Sequence, residues 1–159
     1  MNPNGLIPVL IDGDFTLWES NSICRYLATK AGAAELLPAE PKARAKVEQW
    51  MDWQAGELNN SWRVAFMALV RGQPATPEAI AAGVTSWNRH MGLLDAQLAR
   101  TGAYVCGDSF TLADVVLGLS INRWRRTPIA HAALPEVAAY FERLRALPGF
   151  AQHCDNGVA

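Results

Sequence analysis

Few residues of this chain are spaced for chemistry. Cys24, Cys106 and Cys154 lie far apart, with no CxxC pair and no Cys/His cluster. Structural zinc and a disulfide scaffold are therefore not expected, and no metal is assigned. His90, His131 and His153 are scattered without partner spacing and take no role. Three places remain. Glu19-Ser20-Asn21-Ser22 puts capping residues at the start of a helical stripe, where the commonest role of Ser20 is an N-cap. Thr111 and Asp114 stand three apart and can cap each other's backbone N–H groups, with Asp where Glu or Gln is usual. Pro8 interrupts an apolar run, Leu6 to Ile11, and cannot donate to a sheet ladder. It sits either where no ladder bond is needed or in a special turn such as a cis bond.

Local pattern supplies the elements that must hold these groups. Leu6–Ile11 and Phe15–Trp18, separated by Asp12-Gly13-Asp14, read as a β-hairpin with a glycine-containing turn. Ile23, Tyr26 and Leu27 then mark a helix ending near Lys30. Residues 31–40 read as a linker, and everything after them as helix. Pro41 opens a long segment with Val47, Trp50, Met51, Leu58, Trp62, Ala65, Phe66 and Leu69 largely on one face. Thr76-Pro77-Glu78 is an N-cap followed by proline at the first helical position. Ile80, Val84, Trp87, Met91, Leu94 and Leu98 form the seam of a helix packed along its length. Phe110 and Val115 fit a hydrophobic staple around Thr111. The helix from Leu112 to Ile121 is apolar nearly all round and should be central. Pro135 opens a further helix, Pro148-Gly149 ends it, and Phe150 starts a short last turn.

Composition bounds the function. The chain has 159 residues, half of them apolar and 18 % charged, which suits one globular domain, or one plus a piece of another. A net charge of −1 and a pI near 6.3 argue against a nucleic-acid or anionic-membrane partner. The start of the chain has no charged-then-apolar signal pattern, and no apolar run approaches the roughly 18 residues of a membrane span. A reduced, cytoplasmic protein is the expectation.

Four stretches together resemble one family, the glutathione transferases, in their bacterial theta-like or beta-like branches. Asn2-Pro3-Asn4-Gly5-Leu6-Ile7-Pro8-Val9-Leu10 resembles that family's run into a strand. Leu17-Trp18-Glu19-Ser20-Asn21-Ser22-Ile23-Cys24-Arg25-Tyr26-Leu27 resembles its glutathione-holding turn and following helix. Trp50-Met51-Asp52-Trp53 resembles the long first helix of its C-terminal half, and Phe110-Thr111-Leu112-Ala113-Asp114 its buried cap and staple. The resemblance covers nearly the whole chain. It implies a mainly α fold: a partial thioredoxin-like β-β-α unit over residues 1–30, a linker over 31–40, and an all-α bundle over 41–159.

The resemblance also implies a chemistry. The family lowers the thiol pKa of its co-substrate, glutathione, so that the thiolate attacks a small hydrophobic electrophile. In the family the backbone of the residue before a cis proline pairs with the cysteinyl unit, which assigns Ile7 and Pro8. The Ser20 hydroxyl and free helix-start N–H groups suit the γ-glutamyl carboxylate, and Glu19 its ammonium. Trp62, Arg63 and Phe66 become the candidate electrophile pocket, although Arg63, like Arg71, also reads as part of a solvated face. Trp50 and Trp53 fall on the face through which the family forms homodimers. Trp62 and Trp87, with those two, read first as core and interface residues. Arg123, Arg125 and Arg126 most simply favour the negative end of a helix dipole, and Cys24 reads as a small buried apolar residue. The family's β-α-β unit, with its thiol-activating Ser, Tyr or Cys, belongs ahead of Asn2. This chain alone is therefore expected to be a truncated, weakly active or inactive transferase, with Met1 an internal Met used as a start. The alternatives are a catalytically silent glutathione-binding remnant and a helical protein-interaction module.

Overall fold

A computed structural model of the chain describes residues 1–155 and 157. Two short strands, β1 (Val9–Asp12) and β2 (Phe15–Trp18), pair antiparallel, with Val9 opposite Trp18 and Asp12 opposite Phe15. The two-residue loop between them, Gly13-Asp14, puts a positive φ (63°) on Gly13 alone, the pattern of a type II′ turn. Leu6 and Pro8 lie ahead of β1, so the proline occupies no ladder position, and the Ile7–Pro8 bond is cis. Asn2 closes the preceding turn: its Oδ1 accepts from Asn4 N at 2.9 Å, and its Nδ2 donates to Leu6 O at 2.9 Å.

The helices are α1 (Ser20–Lys30), α2 (Pro41–Trp53), α3 (Asn59–Leu69), α4 (Pro77–Thr101), α5 (Leu112–Arg126), α6 (Pro135–Arg145) and α7 (Phe150–His153). Ser20 is the first residue of α1 rather than its N-cap. Glu19 takes the cap position at φ 72°, ψ 114°, and no side chain caps the helix. The long segment opened by Pro41 is not one regular helix. Gln54–Leu58 forms a π turn between α2 and α3, which shifts the register of the apolar face halfway along. Pro41 is preceded by a working cap, the Glu40 carboxylate, which accepts from Lys42 N at 3.0 Å and Ala43 N at 2.7 Å. Those bonds hold its pKa below the ordinary carboxylate value.

The core sits among α2 to α6. On α4, Trp87, Met91, Leu94 and Leu98 are buried, as their spacing predicts, and Thr76 Oγ1 caps the helix through Ala79 N at 3.2 Å. α5 runs through the centre with Leu112, Ala113, Val116, Leu117, Ile121 and Trp124 buried. It extends to Arg126, five residues past the expected end. Gly118 permits the close approach of α6 and α7: a Cβ there would stand 2.8 Å from Phe150 Cε2 and 3.1 Å from Leu144 Cδ1.

Thr111 and Asp114 form a capping box at the start of α5. Asp114 is fully buried, and its role is larger than a cap. Oδ2 accepts from Thr111 N at 2.7 Å and the Thr111 hydroxyl at 2.9 Å; Oδ1 accepts from Val105 N at 3.0 Å and the Tyr140 hydroxyl at 2.5 Å. One carboxylate therefore ties α5 to the loop before it and to α6. Burial and the carboxylate together push the Tyr140 hydroxyl well above its ordinary pKa, so it stays a donor. Among the described residues, no helix is long and apolar enough to cross a membrane.

Candidate functional site

The start of α1 is fixed to the helical body by polar contacts, with Cys24 packed against the core behind them. Asn21 Nδ2 donates to Met51 O at 2.9 Å, one turn ahead of the π turn. Arg25 pairs with Asp52 and lies 3.6 Å from Glu48 Oε1. Within the hairpin–helix unit, Asp12 accepts from the Tyr26 hydroxyl at 2.5 Å and pairs with Lys30. Lys30 and Tyr26 hold the Asp12 carboxyl below its ordinary pKa.

The π turn faces α1 and carries its own network. Gln54 Nε2 donates to Ser120 Oγ at 3.0 Å and to Asn59 Oδ1 at 3.2 Å. Asn59 Oδ1 also accepts from Trp62 Nε1 at 3.1 Å, and Ser120 Oγ donates to Val116 O at 3.0 Å. These bonds lock the π turn against α5. Between the three elements opens a cleft of about 380 Å³. Glu19, Ser20, Asn21 and Cys24 line it from α1 and its cap, Gln54 and Ala55 from the π turn, Asn59 from the start of α3, and Val115, Val116, Leu119, Ser120 and Arg123 from α5. Larger hollows lie elsewhere among the described residues: one of about 570 Å³ beside Lys46 and Cys106, one of about 490 Å³ among Arg125, Arg126, Arg145 and Asp155, and one of about 410 Å³ among Phe110, Leu147, Phe150 and Cys154. None of these includes the start of α1.

The cleft joins unlike surfaces. At one wall, the free N–H groups of the first turn of α1 and the Ser20 hydroxyl can receive an anion, while the Glu19 carboxylate can receive a cation. Glu19 is the only non-glycine residue with positive φ among the described residues, a strained turn of the kind that collects at ligand sites. At the other wall Val115, Val116 and Leu119 are apolar, and the half-buried Arg123 guanidinium lies 4.6 Å from the Trp62 ring centre and 5.2 Å from that of Phe66. Burial and the neighbouring Arg71 charge lower the Arg123 pKa. Burial raises the Cys24 thiol above its ordinary value, so it is no thiolate nucleophile at neutral pH.

The residues singled out from sequence fall in several places. Glu19 and Ser20 line the cleft; Ile7 and Pro8 are exposed beside the hairpin and do not. Trp62 and Phe66 meet edge to face at 5.2 Å and back Arg123 rather than lining the cleft themselves. Arg63 is separated from them: it is exposed, in a shallow depression with Val64, Met67 and Gln73. Trp50 and Trp53 meet edge to face at 5.1 Å, half-buried against the core. Gln54, Asn59, Ser120 and Arg123 were not anticipated. Arg123 follows Val116, Leu119 and Ser120 at helical spacing, a signal that could have found it; the π turn left none for Gln54 and Asn59.

Comparison with known proteins gives matches along most of the chain. The family models described as "Glutathione S-transferase, N-terminal domain" and "Glutathione S-transferase, C-terminal domain" match residues 1–29 and 77–143. Glutathione S-transferase GstB of Escherichia coli is 36 % identical over 152 residues, covering 93 % of this chain and 73 % of that protein. Dichloromethane dehalogenase of Methylorubrum extorquens is 32 % identical over 161 residues, covering 92 % of this chain and 56 % of that protein. The theta class glutathione S-transferase from Xanthomonas axonopodis pv. citri, solved with glutathione bound, superposes with a TM-score of 0.88 at 37 % identity. That match covers 96 % of this chain and 74 % of the solved one.

Proposed function

The chain belongs to the glutathione S-transferase family, and we propose that it holds glutathione with the γ-glutamyl end at the start of α1. The Ser20 hydroxyl and the first-turn N–H groups take the α-carboxylate. The Glu19 carboxylate pairs with the ammonium. The exposed backbone of Ile7 pairs strand-like with the cysteinyl unit beside Pro8. The thiol then faces an electrophile seated on Val115, Val116 and Leu119. Its proton lost to solvent, the sulfur forms the new C–S bond with a lone pair, and the leaving group departs with the electron pair of the bond it breaks. The observation that carries this reading is the strained Glu19–Ser20 turn opening on a cleft that α5 closes with an apolar wall.

Rate depends on keeping the thiol ionised, which needs a hydrogen bond donated to sulfur. Of the cleft hydroxyls, that of Ser120 already donates to Val116 O. Ser20 is assigned to the carboxylate. These 159 residues therefore supply a cradle and an electrophile wall, and by themselves turn over on the order of 10²–10³ more slowly than a relative with the sulfur donor in place. We also assign the division of labour: residues 1–30 carry the glutathione contacts, 31–40 connect, and 41–159 form the supporting bundle. A two-fold homodimer brings Trp50 and Trp53 near its interface.

Calorimetry with glutathione on the wild type and on Ser20→Ala tests the site. We expect heat from the wild type and binding about tenfold weaker in the variant. Equal affinities would remove Ser20 from the site, and no heat from either protein would leave only a helical scaffold. A conjugation assay with a generic aryl halide tests the rate.

A further inference from the structure

Resting on that reading of the cleft, we infer that its second substrate carries an anionic group, a carboxylate, sulfonate or phosphate on an apolar body, which Arg123 receives. The guanidinium carbon lies over the Trp62 and Phe66 rings, 4.6 and 5.2 Å from their centres, within cation–π reach. Its Nε is buried without a hydrogen-bond partner. No carboxylate pairs with it among the described residues, whereas Arg25, Arg44, Arg126 and Arg145 each have one. Arg71 adds a second positive charge, 5.4 Å from the Phe66 ring centre. Among the described residues neither Arg123 nor Arg71 pairs with a carboxylate, and the carboxylate that lines the cleft, Glu19, stands on the α1 wall. A planar, half-buried guanidinium on a cleft wall, with no carboxylate paired to it among the described residues, is matched by two oxygens of an anion. Val115, Val116 and Leu119 on the same helix supply the seat for the apolar body.

Glutathione has carboxylates too, and these share the chemistry. Arg123 lies on the α5 wall, while the groups suited to the γ-glutamyl end line the α1 wall, so the geometry favours the second substrate. Three calorimetric probes separate the sources: glutathione, S-benzylglutathione and S-(4-carboxybenzyl)glutathione, each on the wild type, Arg123→Gln and Arg123→Lys. We expect the carboxylated conjugate to bind the wild type about tenfold more tightly than the neutral one. Arg123→Gln should erase that preference and leave glutathione unchanged. Arg123→Lys should keep part of it, since the charge remains and the fork is lost. Should Arg123→Gln fail to fold, the wild-type ratio and the Lys variant still decide. Equal wild-type affinities for the two conjugates, with glutathione binding intact, would overturn this inference alone. Weaker binding of glutathione itself in Arg123→Gln would give the arginine to the tripeptide and overturn it as well. No heat with any probe would overturn both this inference and the site it rests on.

Discussion

The first thirty residues and the helical body after them are built on opposite terms. Within residues 1–30 only Ala28 is buried, while Leu6, Ile7, Val9, Ile11, Phe15 and Leu27 are exposed. From α2 onward the chain buries Trp87, Tyr140, Phe141, Met51 and a dense set of leucines. Beyond Ala28 in the core and Cys24 packed against it, the hairpin and α1 are attached by point contacts: Asn21 to the Met51 carbonyl, and Arg25 to Asp52 and Glu48. The bundle coheres by area and by one buried carboxylate. Site residues thus hang on a unit that cannot stabilise itself, positioned by a body that can.

The sharpest way to break the contrast is at Asp114. Asp114→Ala leaves four donors without their acceptor in a buried place, and should cost about 4 kcal/mol. Denaturant unfolding measures it; an unchanged midpoint would mean the network is not formed. Next comes a matched pair of truncations. Leu94→Ala, fully buried on α4, should cost about 3 kcal/mol, and Ile11→Ala, 70 % exposed on β1, no more than about 0.5. Equal losses would erase the distinction between the regions.

The exposed apolar residues of the first unit sharpen the comparison in another way. An unpaired β1 edge with Leu6, Ile7 and Ile11 uncovered invites pairing with another chain. Light scattering at micromolar concentration should give twice the 17.3 kDa chain mass, and Ile11→Asp should return it to the single chain. A monomeric wild type with rapidly exchanging amides over residues 6–11 would contradict this.

The smallest effect is electrostatic. Because the folded-state pKa of Asp12 is lowered, by Lys30 first and then Tyr26, its tie is fully present above the unfolded value near 3.8. It is lost as pH falls through the still lower folded value. Amide shifts of β1, β2 and α1 should change in that acid range while those of α4 and α5 do not.

How much of this could be read from sequence followed from range. Caps and seams are local: Thr76, the Thr111–Asp114 pair and the 80–98 stripe are all within a few residues of their partners, and the structure has them, except that Ile80 and Val84 at the start of the stripe are only partly buried. The helix start bearing Glu19 and Ser20 was legible too, although the cap falls on Glu19 and leaves Ser20 inside the first turn. What escaped depends on distant neighbours or irregular backbone. Nothing near Asp114 announces the Val105 and Tyr140 bonds. The π turn breaks the 3.6-residue period that projects Gln54 and Asn59, so no pattern placed them at the cleft. Arg123 was read as a dipole-end charge because its aromatic partners, Trp62 and Phe66, lie on α3.

The central claim is that the start of α1, with the backbone beside Pro8, binds glutathione. An amide NMR titration of the chain with glutathione reads it residue by residue. The account predicts shifts concentrated at Ile7, Val9 and residues 19–24, with the α4 seam and α6 unmoved. Shifts confined to the hollow beside Lys46 and Cys106, or no shifts at all at saturating glutathione, would contradict it.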